Sequence, residues 1–272
     1  MPDSLVVNEI YLSVQGESSW AGWPCVLVRL TGCPLRCSYC DTAYAFTEGR
    51  RMELEQVRAQ VHRLAAPFAW WPGGGALHTT DLAAGQCITS PGAGTAAGRA
   101  VVPRLPLVEL TGGEPLAQPA ALNLMQALCD DGFTVLMETS GALDIQAVDA
   151  RVHRIMDLKC PSSGELERNR WENLAHLRPT DEVKFVIGSI QDYQWAKEQL
   201  ARHRLAARCV VLFSWAHPLT PNQRHPSLKP PPPGHTPIDR RQLTELILAD
   251  ALPVRFQVQM HKVIWPADQR GV

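Results

Sequence analysis

Cys33, Cys37 and Cys40 fall inside the segment TGCPLRCSYCDT, residues 31–42, at the spacing CxxxCxxC. Thiolates are soft ligands that suit zinc and iron–sulfur clusters. Three of them on one irregular loop can ligate three irons of a [4Fe–4S] cube, leaving the fourth iron open to an outside ligand. A zinc site would need a fourth ligand, and no His or Cys follows at finger spacing. Free thiols without a metal are a further alternative. The remaining cysteines, 25, 87, 129, 160 and 209, are scattered. Cys129 (ALCDDG) and Cys209 (RCVVLF) sit in apolar stretches and read as small buried hydrophobes.

Other polar groups recur at the ends of short apolar runs. PLVELT (106–111) continues into Gly112-Gly113-Glu114-Pro115, and TVLMET (134–139) into Ser140-Gly141. RIMDLK (154–159) carries Asp157 and Lys159, RCVVLF (208–213) continues into SWAH, and VRFQVQ (254–259) into Met260-His261-Lys262. One polar strand end is ordinary. Several together suggest a shared pocket, because α/β folds place their sites at the carboxyl ends of parallel strands.

The elements that would position these groups are legible as a series. CVLVRL (25–30), the runs just named and EVKFVI (182–187) show little alternation, as expected of strands buried on both faces of a parallel sheet. PAALNLMQALCDD, QDYQWAKEQLARHR and DRRQLTELILAD (239–250) have helical spacing. Strand–helix alternation predicts βαβ units in a barrel or an open sheet. Residues 66–104, rich in Gly, Ala, Pro and Thr, read as an insertion lying away from the cysteine loop. The Pro-rich stretch at 229–237 reads as a stiff surface connector.

Composition narrows the function. The 272 residues carry 26 Lys and Arg against 27 Asp and Glu, so no basic excess points to nucleic acid. No run reaches the ~18 apolar residues of a membrane helix. MPDSLVVNEIYLS lacks the apolar core and cleavage site of a secretory signal, which suggests a cytoplasmic protein.

With Tyr39 just before the last cysteine and TGGEP (111–115) downstream, the sequence resembles the radical S-adenosylmethionine (SAM) superfamily. It is most similar there to 7-carboxy-7-deazaguanine synthases, of the 7-deazapurine (queuosine) pathway. The residues that carry this are VQGE (14–17), Arg29, GCPLRC, Asp41-Thr42, ETSG (138–141), Asp157–Lys159 and QMHK (259–262). The resemblance implies a single radical SAM core domain, a modified, incomplete (β/α)6-type TIM barrel of about six core strands, open at one side. It implies a [4Fe–4S] cluster on Cys33, Cys37 and Cys40, and Mg2+ held by Thr42. SAM contacts are implied at Tyr39, Cys40, Asp41, Gly113, Ser140, Asp157 and Lys159. They extend to Glu114, whose carboxylate can accept from the methionine ammonium.

The implied substrate is 6-carboxy-5,6,7,8-tetrahydropterin, contacted by Val14, Gln15, Gly16, Glu17, Arg29, Thr111 and His261. Arg29 offers a bidentate guanidinium to a carboxylate, although a plain salt bridge is its ordinary reading. The implied reaction begins with reductive cleavage of SAM and abstraction of the C6 hydrogen, and ends in ring contraction and loss of ammonia. A homodimer and a flavodoxin-type electron donor also follow from the resemblance. Two features depart from it: Asp157-Leu158-Lys159-Cys160 stands where many relatives have Ser-Pro-Lys, and VIWPADQRGV follows His261-Lys262, so a terminal substrate contact cannot be carried over. A glycyl-radical activating enzyme is the alternative within the superfamily, but no second cysteine cluster is present. A non-catalytic metal module would need no GGEP or ETSG.

Overall fold

The computed structural model describes residues 4–70 and 104–272. Among these, nine strands form one sheet in the order β3-β1-β2-β4-β5-β6-β7-β8-β9. The strands are β1 (Ser4–Val14), β2 (Pro24–Leu30), β3 (Arg50–Glu53), β4 (Leu107–Gly112), β5 (Val135–Thr139), β6 (His153–Asp157), β7 (Glu182–Ile187), β8 (Val210–Trp215) and β9 (Arg255–Gln257). β2 and β4 through β9 are mutually parallel. β1 and β3 add an antiparallel extension that the sequence pattern did not reveal.

The sheet is not closed, since β3 and β9 are its free ends. The chain after β1 nevertheless reaches across it. Ser18 N donates to Gln257 Oε1 (3.0 Å) and Met260 N to Gly16 O (2.9 Å), while Lys184 Nζ on β7 pairs with Glu17 (2.7 Å).

The helices are α1 (Leu54–Ala65), α2 (Ala120–Asp130), α3 (Ile190–Arg202), α4 (Arg240–Ala249) and the single turn α5 (His261–Ile264). Ser189 and Asp239 cap α3 and α4, each accepting from a backbone N–H of the first turn. The expected strand–helix alternation is incomplete. Among the described residues no α-helix follows β5 or β6, where 3-10 turns and bends run instead. Residues 229–237 lie at the surface, with Pro237 bridged to Ser189. Most of the 66–104 segment, and with it the expectation about its position, falls outside the described residues; Ala66–Trp70 forms a 3-10 turn after α1.

The strands alternate more than their sequences suggest. Val26, Val28, Leu30, Val108, Leu110, Val135 and Met137 pack with Leu124, Met125 and Leu128 of α2. Val183, Phe185, Val211 and Phe213 pack with α3 and α4 through Tyr193, Ala196, Leu243 and Ile247. The intervening positions form the opposite face. There Cys25, Leu27, Leu107, Leu136, Ile155 and Leu212 make a separate apolar floor. The next inward positions toward the carboxyl ends are Arg29, Glu109, Thr111, Glu138, Asp157, Lys184 and Ser214, which line a cavity. A period of 2 puts successive side chains on opposite faces, so each strand feeds the helix-packed core with one set and the cavity with the other.

Candidate active site

The cavity has a volume of about 560 Å³. Its polar wall is built by register. Glu9, Arg29 and Thr111 are cross-strand neighbours on β1, β2 and β4, and Asp157 and Lys184 are neighbours on β6 and β7. Arg29 Nε bonds Glu9 (2.7 Å) and Nη2 bonds the Tyr11 hydroxyl (3.0 Å). Arg29 is thus salt-bridged and also lines the cavity.

The cysteine loop has no regular secondary structure between Gly32 and Cys40 and is held from outside. Leu35 is a buried anchor. Arg36 N donates to Glu165 (2.6 Å), Ser38 N to Ser163 O (3.0 Å), and Lys229 N to Arg36 O (2.9 Å). Arg36 turns its guanidinium back onto Cys33 O (2.7 Å) and Leu35 O (2.6 Å). Cys33, Cys37 and Cys40 all face the cavity. Burial pushes their thiols up, Cys40 to about 12, while the Lys159 ammonium favours the thiolates of Cys33 and Cys37.

The TGGEP turn lies against this loop. Gly113 N donates to Leu30 O (2.9 Å) and Glu114 N to Gly32 O (2.8 Å). A Cβ at Gly113 would collide with the Gly32 backbone, so the close approach of the two loops requires glycine.

Glu114, expected to reach SAM, is placed behind the cavity wall. It is not among the cavity-lining residues, and it is 0% exposed. Its carboxylate accepts from Leu116 N (3.0 Å), Thr139 Oγ1 (2.9 Å), Ser140 N (2.7 Å) and Ser140 Oγ (2.5 Å). A carboxylate offers about four lone-pair sites, and here protein donors fill them. Glu114 thus fixes Ser140, which does line the cavity, instead of reaching a ligand itself.

The other expected residues do converge. Val14, Gln15, Gly16, Glu17, Tyr39, Asp41, Thr42, Thr111, Gly113, Asp157, Lys159 and His261 all line the same space. Gly16 lies so close to the His261 ring that a side chain there would strike it. Burial lowers the His261 pKa. Thr42 Oγ1 donates to Asp41 (2.8 Å), which also accepts from Gln259 (3.0 Å) and from Lys262. Against the cost of burial, Lys262 keeps the Asp41 carboxyl well below the usual range. Despite its unfamiliar sequence, the Asp157–Lys159 segment enters the cavity with an internal ion pair of 2.9 Å, and Asn169 holds the Lys159 backbone from both sides (2.8 and 2.9 Å).

Several cavity residues escaped the sequence reading, namely Tyr11, Glu109, Lys184 and the tail 267–272, while Glu138, Gln259 and Lys262 were read only as strand-end residues without a role. Lys184 bonds Glu17 (2.7 Å) and Glu138 (3.0 Å) and lies 4.0 Å from Asp157. Burial opposes its charge, but Glu138, Glu17 and Asp157 raise its pKa well above the ordinary value. In the tail, Arg270 stacks 3.7 Å from the Tyr44 ring centroid and pairs with Glu48 (2.8 Å). The alternating charges within EVKFVI were the available clue to Lys184. Nothing local marked the tail.

No family profile matches the chain. Two curated relatives, the 7-carboxy-7-deazaguanine synthases of Chlorobaculum tepidum and Koribacter versatilis, are each 38% identical to it. The alignments run over 271 and 268 residues and cover 98% of this chain in both cases, with 97% and 99% of the relatives. The chain belongs to the 7-carboxy-7-deazaguanine synthase family. The fold agrees: the crystal structure of QueE from Escherichia coli superposes with a TM-score of 0.61 at 19% identity, covering 95% of both chains.

Members of this family are radical SAM enzymes, and the cofactors are a [4Fe–4S] cluster, SAM and Mg2+. The residues present fit that set. Among the described residues, no three His, Cys, Asp or Glu side chains are placed to share one metal ion. Three thiols facing one cavity suit an iron–sulfur cluster, three of whose irons would each take one thiolate. Beside them the Tyr39 hydroxyl and Asp157 Oδ1 are buried polar atoms without a hydrogen-bond partner among the described residues. Such atoms are costly unless a ligand satisfies them.

Proposed function

We propose that this cavity converts 6-carboxy-5,6,7,8-tetrahydropterin to 7-carboxy-7-deazaguanine with loss of ammonia. The observation that carries the assignment is convergence: the three thiols, the glycine turn and the polar strand ends open onto one space. In this reading the open sheet is the incomplete barrel of the superfamily, the chain is a single core domain, and the cluster is held by Cys33, Cys37 and Cys40. When bound, the cluster and SAM supply the radical that starts the ring contraction.

The chain's own residues bind and orient. Gly113, Ser140, Tyr39, Cys40 and Asp41 form the wall against which SAM is held, with Asp157 and Lys159 at its far side. Thr42 offers a hydroxyl oxygen to Mg2+, a hard ion that takes few protein ligands. Arg29 Nη1 is not engaged by Glu9 or Tyr11 and is available to the substrate carboxylate. Val14, Gln15, Gly16, Glu17, Thr111 and His261 surround the heterocycle. The apolar floor under them keeps water from the reacting centre, which strengthens each polar contact. No helix among the described residues is long and apolar enough to cross a membrane. A cytoplasmic homodimer reduced by a flavodoxin-type donor completes the reading.

Anaerobic reconstitution tests it. Iron and sulfide should be present in the ratio of a four-iron cluster, and addition of reductant, SAM and the carboxytetrahydropterin should give 7-carboxy-7-deazaguanine by mass. Cys33→Ala, Cys37→Ala and Cys40→Ala should each prevent assembly of the cluster. A fully loaded protein that cleaves SAM without forming a deazaguanine would overturn the substrate assignment.

A further inference from the structure

Each cavity-lining carboxylate that is half-buried has a cation. Glu17 and Glu138 share Lys184, Asp157 has Lys159, and Asp41 has Lys262. Glu109 does not. It lines the cavity, is 2% exposed, and makes no direct ion pair among the described residues; the nearby Lys184 ammonium bonds Glu17 and Glu138 instead. Its contact is with Gln15, whose Nε2 donates to Glu109 Oε2 and whose Oε1 accepts from Glu17 N (3.0 Å). The second carboxyl oxygen is left to the cavity. Burial first, and then the neighbouring Glu138 charge, push the Glu109 carboxyl well up, against the Gln15 hydrogen bond and the more distant Lys184 ammonium. A buried carboxyl without a directly bonded cation is costly to keep ionised unless something else supplies donors.

Nothing in the packing asks for a carboxyl here. Glu109 stands on β4 between Leu107, in the apolar floor, and Thr111, and it faces Leu136 on β5 across the sheet. An apolar side chain would extend that floor at no desolvation cost. A substrate with adjacent N–H donors would instead use the carboxyl fully, because carboxylates accept paired donors well. Resting on the substrate proposed above, such donors exist at one place in the heterocycle, the edge bearing the 2-amino group and the neighbouring ring N–H. Arg29, beside Thr111 on β2, has Nη1 left by Glu9 and Tyr11 for the carboxylate end of the same molecule.

We propose that Glu109 is a specificity-determining residue that accepts the amino-bearing edge of the pyrimidine ring. Gln15 is held in one orientation beside it by the Glu109 and Glu17 bonds. The pair reads the 2-amino group, and the enzyme rejects heterocycles that lack it.

The test is equilibrium binding to the cluster-loaded protein with SAM present, using 6-carboxypterin, a fluorescent and redox-inert probe, and its 2-desamino analogue. A site built to accept an N–H holds the amino ligand about 10- to 100-fold more tightly than the analogue. Glu109→Gln should weaken 6-carboxypterin by a similar factor and leave the analogue within about 3-fold, so discrimination collapses while SAM binding is kept. Equal binding of the two probes by the unaltered protein overturns the proposal without any variant. Equal losses for both probes in Glu109→Gln also overturn it, since they mark a merely structural role. Deazaguanine formation by the unaltered enzyme, measured alongside, separates the two readings. If the product forms but the amino group is not read, the inference about Glu109 fails alone. If no product forms and neither probe binds, the substrate assignment fails with it.

Discussion

Glu114→Gln separates a carboxylate that binds a ligand from one that braces the site. Glu114 is fully buried and accepts four hydrogen bonds, from Leu116 N, Thr139 Oγ1, Ser140 N and Ser140 Oγ. Glutamine keeps the shape but replaces one oxygen with an amide that only donates. The Thr139 and Ser140 hydroxyls can rotate to accept from it. The backbone N–H groups of Leu116 and Ser140 cannot, and they bond different oxygens, so either amide orientation strands one of them. A stranded donor costs about 1–3 kcal/mol, and the surviving bonds lose the strengthening of an ionised acceptor. The loss should therefore be about 2–4 kcal/mol, a large share of a stability of roughly 5–15 kcal/mol. With a urea dependence of about 3 kcal/mol per molar for a chain of this size, the midpoint should fall by about 1 M. Anaerobic urea unfolding gives the midpoint, and equilibrium dialysis of the loaded protein gives the SAM affinity. Because Ser140 is displaced, SAM should also bind more weakly. An unchanged urea midpoint together with lost SAM affinity would refute this reasoning and return Glu114 to the ligand shell.

Two further outcomes follow from the buried charges. Lys184→Met removes the cation shared by Glu17 and Glu138 and leaves buried carboxylates uncompensated, which should cost about 3–5 kcal/mol in urea unfolding; a change below 1 kcal/mol would show the network to be slack. Asp181 is buried against Arg154, which overcomes the cost of burial and holds the carboxyl below its ordinary value. Its folded pKa is thus below the unfolded value of about 3.9, so its contribution is complete above that pH and is lost as the pH falls through the folded pKa. The urea midpoint should drop below about pH 4 in the unaltered protein and flatten over that range in Asp181→Asn; parallel pH profiles would count against the assignment.

The chemistry of the site was legible because it is local. CxxxCxxC places three thiols on one loop whatever the fold does around it, and a glycine pair tells of close backbone approach before the neighbour is known. The apolar runs marked their strands within a few residues. What a run does not disclose is which strand lies beside it. Register across β1, β2 and β4 decided that Arg29 stands between Glu9 and Thr111. Crossing contacts from the chain after β1 decided that Glu17 and Lys184, far apart in sequence, form an ion pair.

The same division explains what the sequence left open. The resemblance implied a ligand contact for Glu114; in the fold its carboxylate accepts from its own turn and from the next strand end, and no local pattern announces those donors. The tail carried no motif and still reached the cavity through Arg270, Tyr44 and Glu48. Glu109 sat unnoticed in an apolar run, because alternation is invisible when both faces of a strand are mostly buried. The sequence by itself determined which groups could do chemistry and which stretches would be strand or helix, since those depend on residue type and short-range periodicity. Only the tertiary structure decided which polar groups satisfy one another and which are left for a ligand, because that depends on distances between residues that the chain brings together only by folding.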